Sequence, residues 1–274
     1  MISKRALFAA VIASNLPPLG AAMAQQPPAL ASHRAVYELT LDKAKGAKAP
    51  AQARGRIVFE FTASCDGYVQ NFRQITELTP DEGATKLSDM RSATFESLDA
   101  TDYRFKIETK VDSAAADEVD GKAHKEKEAT VGVDLSRPKR AHLEIAGPAL
   151  FPSEHLRRIV EAARAEEPLL EARVYDGTGE GEKIFNTLTV IGKPLEEPAT
   201  EKAAHADALK GMKRWRVSVS YFEPGKHDDQ PIYILSFDLY ENGVSRALKL
   251  DYGDFVLNGE MAELTIQPAG ACKK

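Results

Sequence analysis

Arg56 to Leu78 is the stretch that most narrows what this chain can become, because it combines strand periodicity with Cys65, one of only two cysteines among 274 residues. In Arg56-Ile-Val-Phe-Glu-Phe61 the apolar residues Ile57, Phe59 and Phe61 fall on one face, and Asp66-Gly67 supplies a turn into a second extended run starting at Tyr68. The expectation is a β-hairpin with its thiol at the tip. The second cysteine, Cys272, is third from the end. Paired, the two would tie this hairpin to the end of the chain and close a loop of about 207 residues, worth roughly 5 kcal/mol in the chain-entropy account. Unpaired, they would be two buried thiols.

The first 24 residues speak to compartment. Lys4-Arg5 form a short positive region, Ala6 to Leu19 is mostly apolar, and Ala22-Met23-Ala24 before Gln25 matches a small-residue cleavage site, so residues 1–24 are expected to be a signal peptide cut between Ala24 and Gln25. Ser14, Asn15, Pro17 and Pro18 interrupt the apolar run, which falls short of the roughly 20 residues a membrane span needs. An exported chain is compatible with a disulfide. Loss of Lys4 and Arg5 with the leader takes the formal net charge from -5 to -7, since no acid leaves with them. Moderate acidity spread along the chain argues against nucleic acid as a partner and against general adhesion to anionic membranes.

Period-two alternation dominates the mature chain. Residues 25–32 read as a disordered Pro/Ala/Gln tail and 33–274 as one domain. His33 to Leu41 places Ala35, Tyr37, Leu39 and Leu41 on one side; Tyr103, Phe105 and Ile107 alternate with charge; so do Trp215, Val217, Val219 and Tyr221 with Arg216, Ser218 and Ser220. Lys43–Ala53 reads as a mobile loop, Asp112–Glu128 as a long hairpin loop centred on Asp120-Gly121, and Pro194–Gly211 as a loop or short exposed helix. Asn242-Gly243 and Asn258-Gly259 are both expected to be hairpin turns. A dozen or more strands in one chain require a mainly β fold, a single antiparallel spiral or barrel-like sheet.

One segment changes period. Phe151 to Glu166 puts Leu156, Ile159, Val160 and Ala163 on one helical face, with Ser153 as the expected N-cap, His155 in the first turn and Pro168 beyond the end. In a chain of strands such a helix is expected to plug or flank the sheet. The chemistry search is thin. Asp176-Gly-Thr-Gly-Glu-Gly-Glu182 looks like a calcium loop, but Thr187 stands where the bidentate acid is needed, so a plain turn is expected. The six histidines show no metal-binding spacing, and no nucleophile elbow or phosphate loop occurs, so neither catalysis nor a cofactor or metal is expected.

The order and spacing of His33-Arg-Ala-x-Tyr37, Cys65-Asp-Gly-Tyr68 with Asn71 and Arg73, Phe151-Pro-Ser-x-His155, Tyr175-Asp-Gly177 and the late Cys272 resemble the cell-envelope-integrity EipB family of α-proteobacteria. The resemblance implies a periplasmic protein with a spiral antiparallel sheet, a disulfide between Cys65 and Cys272, and a role in maintaining the envelope without known enzymatic activity. Ser153, where threonine is expected, and the long 194–211 stretch depart from the pattern. Two functions follow as expectations: a non-enzymatic factor that binds a peptide, lipid or envelope protein on a curved sheet, or a carrier that shields a lipid or lipoprotein acyl chain. An envelope hydrolase is a distant third.

Overall fold

A computed structural model describes residues 30–46, 49–126, 130–223, 225 and 230–268. The alternating stretches form β1 (His33–Ala44), β2 (Gln52–Ala63), β3 (Gly67–Thr79), β4 (Lys86–Ser97), β5 (Asp102–Val111), β6 (Asp117–Lys125), β7 (Thr130–Arg137) and β8 (Ala141–Ala146). After the helix α1 (Pro152–Arg164) come β9 (Leu169–Val174), β10 (Phe185–Pro194), β11 (Arg214–Phe222), β12 (Tyr233–Tyr240), β13 (Ser245–Asp251) and β14 (Phe255–Ile266).

All fourteen strands make one antiparallel sheet, in the order β8 through β1, then β14 back through β9. Each arm is a run of hairpins between chain neighbours, and the arms are sewn together by the pairing of first and last strands, from His33 opposite Ile266 to Ala44 opposite Phe255. The sheet's two edges, β8 and β9, are joined by only 22 residues, 147–168, that include α1. So short a connection forces a twisted sheet of this width to roll until its edges approach. At one point the connection itself pairs with β9. Leu150 forms a parallel bridge to Val174, its N–H donating to the Arg173 carbonyl at 2.7 Å and its carbonyl accepting from Tyr175 N–H at 3.0 Å. The sheet remains unclosed beyond it.

Apolar side chains of the concave face fill the roll. Tyr103, Phe105, Phe151 and Tyr175 stack in one group, with centroids of Tyr103 and Phe151 5.1 Å apart. Trp215, Val217, Val219, Phe237 and Leu239 form a second group that receives α1. A third lies along β1, β2 and β12–β14.

Several local expectations give way to pairing. The loop expected over Lys43–Ala53 is shorter, because β1 runs to Ala44 and β2 begins at Gln52. Asp112–Glu128 contains β6, and Asp120-Gly121 lies within that strand at a register shift against β7, not at a turn. Gly121 is required by crowding: an added Cβ would sit 2.8 Å from the Asp134 carbonyl oxygen and 2.9 Å from Phe105. Asn258-Gly259 is likewise mid-strand, with Gly259 opposite both Leu39 and Leu248. Pro194–Gly211 holds two short 3-10 turns and is packed, since Ala199, Ala204 and Leu209 enter the third apolar group. It is pinned by Glu201, which is 5% exposed, accepts from Arg246 and takes the Ala247 N–H at 3.1 Å. The expected tail also overlaps the domain. Leu30 packs on Phe61 and Tyr68, and Ala31 N–H donates to the Asn242 carbonyl, so 30–32 belong to the domain and not to a tail.

Candidate functional site

The helix and the sheet edge beside it gather most of the polar groups that deserve a functional reading. The apolar stripe seats α1 as its periodicity requires: Ile159, Val160 and Ala163 are buried against Trp215, Val217 and Ile191, and Leu156 is half-buried. The start of α1 differs from expectation. The N-cap is Phe151, without a side-chain cap of its own, and Pro152 opens the helix at a position where its missing N–H costs nothing.

Ser153 is therefore not the cap. The orphan N–H groups of Ser153 and Glu154 donate instead to the carboxylate of Glu96 on β4, at 2.6 and 2.8 Å, while Ser153 Oγ accepts from Gln70 Nε2 at 2.9 Å. A carboxylate at a helix N-terminus is stabilised by those donors and by the helix dipole. Burial works against it and dominates, raising the Glu96 pKa to about 6 while the two backbone bonds pull it down. Lys125 pairs with Glu154 and lies 4.7 Å above the Phe151 ring. His155 is buried, its Nε2 has no hydrogen-bond partner among the described residues, and burial lowers its pKa to about 4. It is a neutral packing residue under the sheet, not a base poised beside a nucleophile.

Between α1 and β9 runs an open groove of about 1170 Å3, lined by Ala162, Ala165, Leu170, Ala172 and Leu188 together with charged residues of both signs. It straddles the sheet edge at β9. The interior of the roll, by contrast, is occupied by α1, the aromatic group and the 195–212 segment.

Of the other residues singled out in the sequence, Asp176 makes a local turn, its Oδ1 accepting from Thr178 N–H at 2.9 Å and Thr178 Oγ1 at 2.6 Å. Gly177 and Gly181, both at positive φ, let that turn press against Phe105 and Leu135. Among the described residues no three His, Cys, Asp or Glu side chains come together as metal ligands, and no helix is long and apolar enough to cross a membrane. Cys65 sits exposed at the tip between β2 and β3. Cys272, Ala24 and Gln25 lie outside the described residues. Glu96 escaped the sequence reading, although its inward parity with Met90 and Thr94 on β4 marks a carboxylate on a core face.

A rolled, unclosed antiparallel sheet of fourteen strands with one helix seated in it defines a β-barrel-like protein of spiral topology. The chain belongs to the EipB-like family, whose model matches residues 24–268. It is 36% identical over 256 residues to the cell envelope integrity protein EipB of Brucella abortus (strain 2308), covering 93% of this chain and 90% of that protein. The crystal structure of a β-barrel-like protein of the domain of unknown function DUF1849 from Brucella abortus superposes with a TM-score of 0.82 at 34% identity, over 88% of this chain and 99% of that one.

Proposed function

We propose that this chain is a periplasmic, non-enzymatic protein that maintains cell-envelope integrity by binding a peptide, lipid or protein partner on its curved sheet. Family membership supports the envelope role. The observation that carries the binding reading is the contrast between a filled interior and an open, polar-rimmed groove at the sheet edge. A carrier for an acyl chain needs a continuous apolar cavity, and α1 and the 195–212 segment occupy that space.

The test is genetic and chemical. Deleting the gene should sensitise cells to detergents and cell-wall antibiotics, with resistance restored by the wild-type chain; an unaltered deletion strain contradicts the reading. A lipid retained in native mass spectrometry of protein purified from periplasm would favour the carrier.

Export and the Cys65–Cys272 disulfide belong to the same proposal. Ser32 links the two regions: its carbonyl accepts from Gln267 N–H at 2.8 Å just beyond β14, and its Oγ accepts from Ala63 N–H at 2.9 Å at the end of β2. Cys65 is two residues past Ala63 and Cys272 five past Gln267, a reach of up to about 17 Å of extended chain. Thiol labelling of unreduced, denatured protein should find no free thiol. Two labelled cysteines overturn the bridge.

A further inference from the structure

We propose that the free edge of β9 takes up an extended segment of a partner polypeptide, alternately apolar and basic, as an added strand beside α1. This deepens the binding reading above and rests on it. Pro168 carbonyl accepts from Ile191 N–H, so residues 168, 170, 172 and 174 face β10 through their backbone groups and 169, 171 and 173 face outward. The Arg173 carbonyl and Tyr175 N–H, on that outward side, are already used by Leu150, which shows that the edge accepts a strand-like partner from this direction. Leu169 and Glu171, with the Arg173 N–H, carry the remaining outward donors and acceptors, along about 13 Å of edge.

The chemistry of the occupant follows from the walls. Side chains of an added strand that point toward the helix meet Ala162, Ala165 and Leu170, which calls for apolar residues at alternate positions. Those that point away meet Glu171, beside the exposed Leu169, which is 57% exposed. Two of the groove's arginines pair with carboxylates, Arg158 with Glu161 and Arg164 with Glu241, while Arg173 donates to the Ala146 carbonyl at 3.0 Å and keeps its charge. Glu167 and Glu171 have no ion pair among the described residues. Two unpaired acids against Arg173 leave the groove negative by one charge, and the partner's outward positions, which lie beside Glu171, are basic.

The experiment uses the full mature chain and a fluorescein-labelled peptide of about nine residues alternating valine and lysine, long enough to span the edge. Fluorescence anisotropy should give saturable binding, weakened by about tenfold or more when glutamate replaces lysine in the peptide. Methylating the peptide's alternate backbone nitrogens should abolish binding. In the protein, Glu171→Pro removes an outward N–H without touching the β10 ladder, so it should keep the wild-type melting profile and lose binding. No saturable binding, equal binding of the methylated peptide, or equal binding by a folded Glu171→Pro variant each overturns the proposal. So does a wild-type dimer that Glu171→Pro converts to monomer, since a second copy would then own the edge. If Glu171→Pro fully restores detergent resistance to the deletion strain, this inference fails while the envelope role stands. If deletion has no phenotype, the envelope role fails whatever the peptide does.

Discussion

Glu96 and His155 are buried titratable groups at the start of α1, and they oppose each other as pH changes. The Glu96 carboxyl, ordinarily near 4.5, is raised to about 6, so the folded state holds its proton more tightly than the unfolded chain. Its contribution to stability is fully present below pH 4.5 and is lost as pH rises through 6, a swing of about 2 kcal/mol. His155 runs the other way. Its pKa falls from 6.5 to about 4, so its contribution is present above pH 6.5 and is lost as pH falls through 4, a swing of about 3 kcal/mol. In urea titrations between pH 4 and 7, His155→Leu should flatten the loss of stability on acidification, and Glu96→Gln should steepen it. Parallel curves for wild type and both variants would show that neither group is buried as described.

At the scale of elements, pairing partners decide what dipeptides cannot. Asn242-Gly243 and Asn258-Gly259 carry the same signal, yet only the first turns: Gly243 has φ +87° and donates to the Tyr240 carbonyl. Gly259 lies between Leu39 and Leu248, where an added Cβ would meet Leu248 at 3.0 Å, so its glycine serves close packing. Nothing within a few residues distinguishes the two cases. The helix was legible because its stripe is a local, 3.6-residue pattern, whereas its cap was not, because Glu96 is 57 residues from Ser153. The groove was invisible for a similar reason, as it exists only where β9 ends the sheet. The stripe itself makes a sharp prediction. Ile159, 2% exposed, packs under the sheet, while Arg158 faces the groove. Ile159→Asp should cost more than about 4 kcal/mol by burying an unpaired charge, and Arg158→Asp less than about 1 kcal/mol. Equal urea midpoints for the two variants would contradict this seating of α1.

At the scale of the molecule, stability rests on joining the two arms of a wide sheet through its first and last strands, and the proposed function rests on the edge that the roll leaves open. The β1–β14 pairing joins sequence neighbourhoods more than 200 residues apart, so it is formed only when both arms are in place. A Cys65–Cys272 bridge would hold that seam from outside. Cys65→Ser should then lower stability by roughly 2–5 kcal/mol and reduce periplasmic abundance, because a margin of about 5–15 kcal/mol feels such a loss. The central claim is that surface and shape do the work, with no single side chain performing chemistry. The most direct test is detergent survival of the deletion strain carrying His155→Ala, Asp176→Ala or Glu180→Ala, with the abundance of each variant measured alongside. Survival should follow abundance, each folded variant restoring resistance in proportion to its level; one that is folded, normally abundant and wholly inactive would contradict the claim and move an envelope hydrolase to the front.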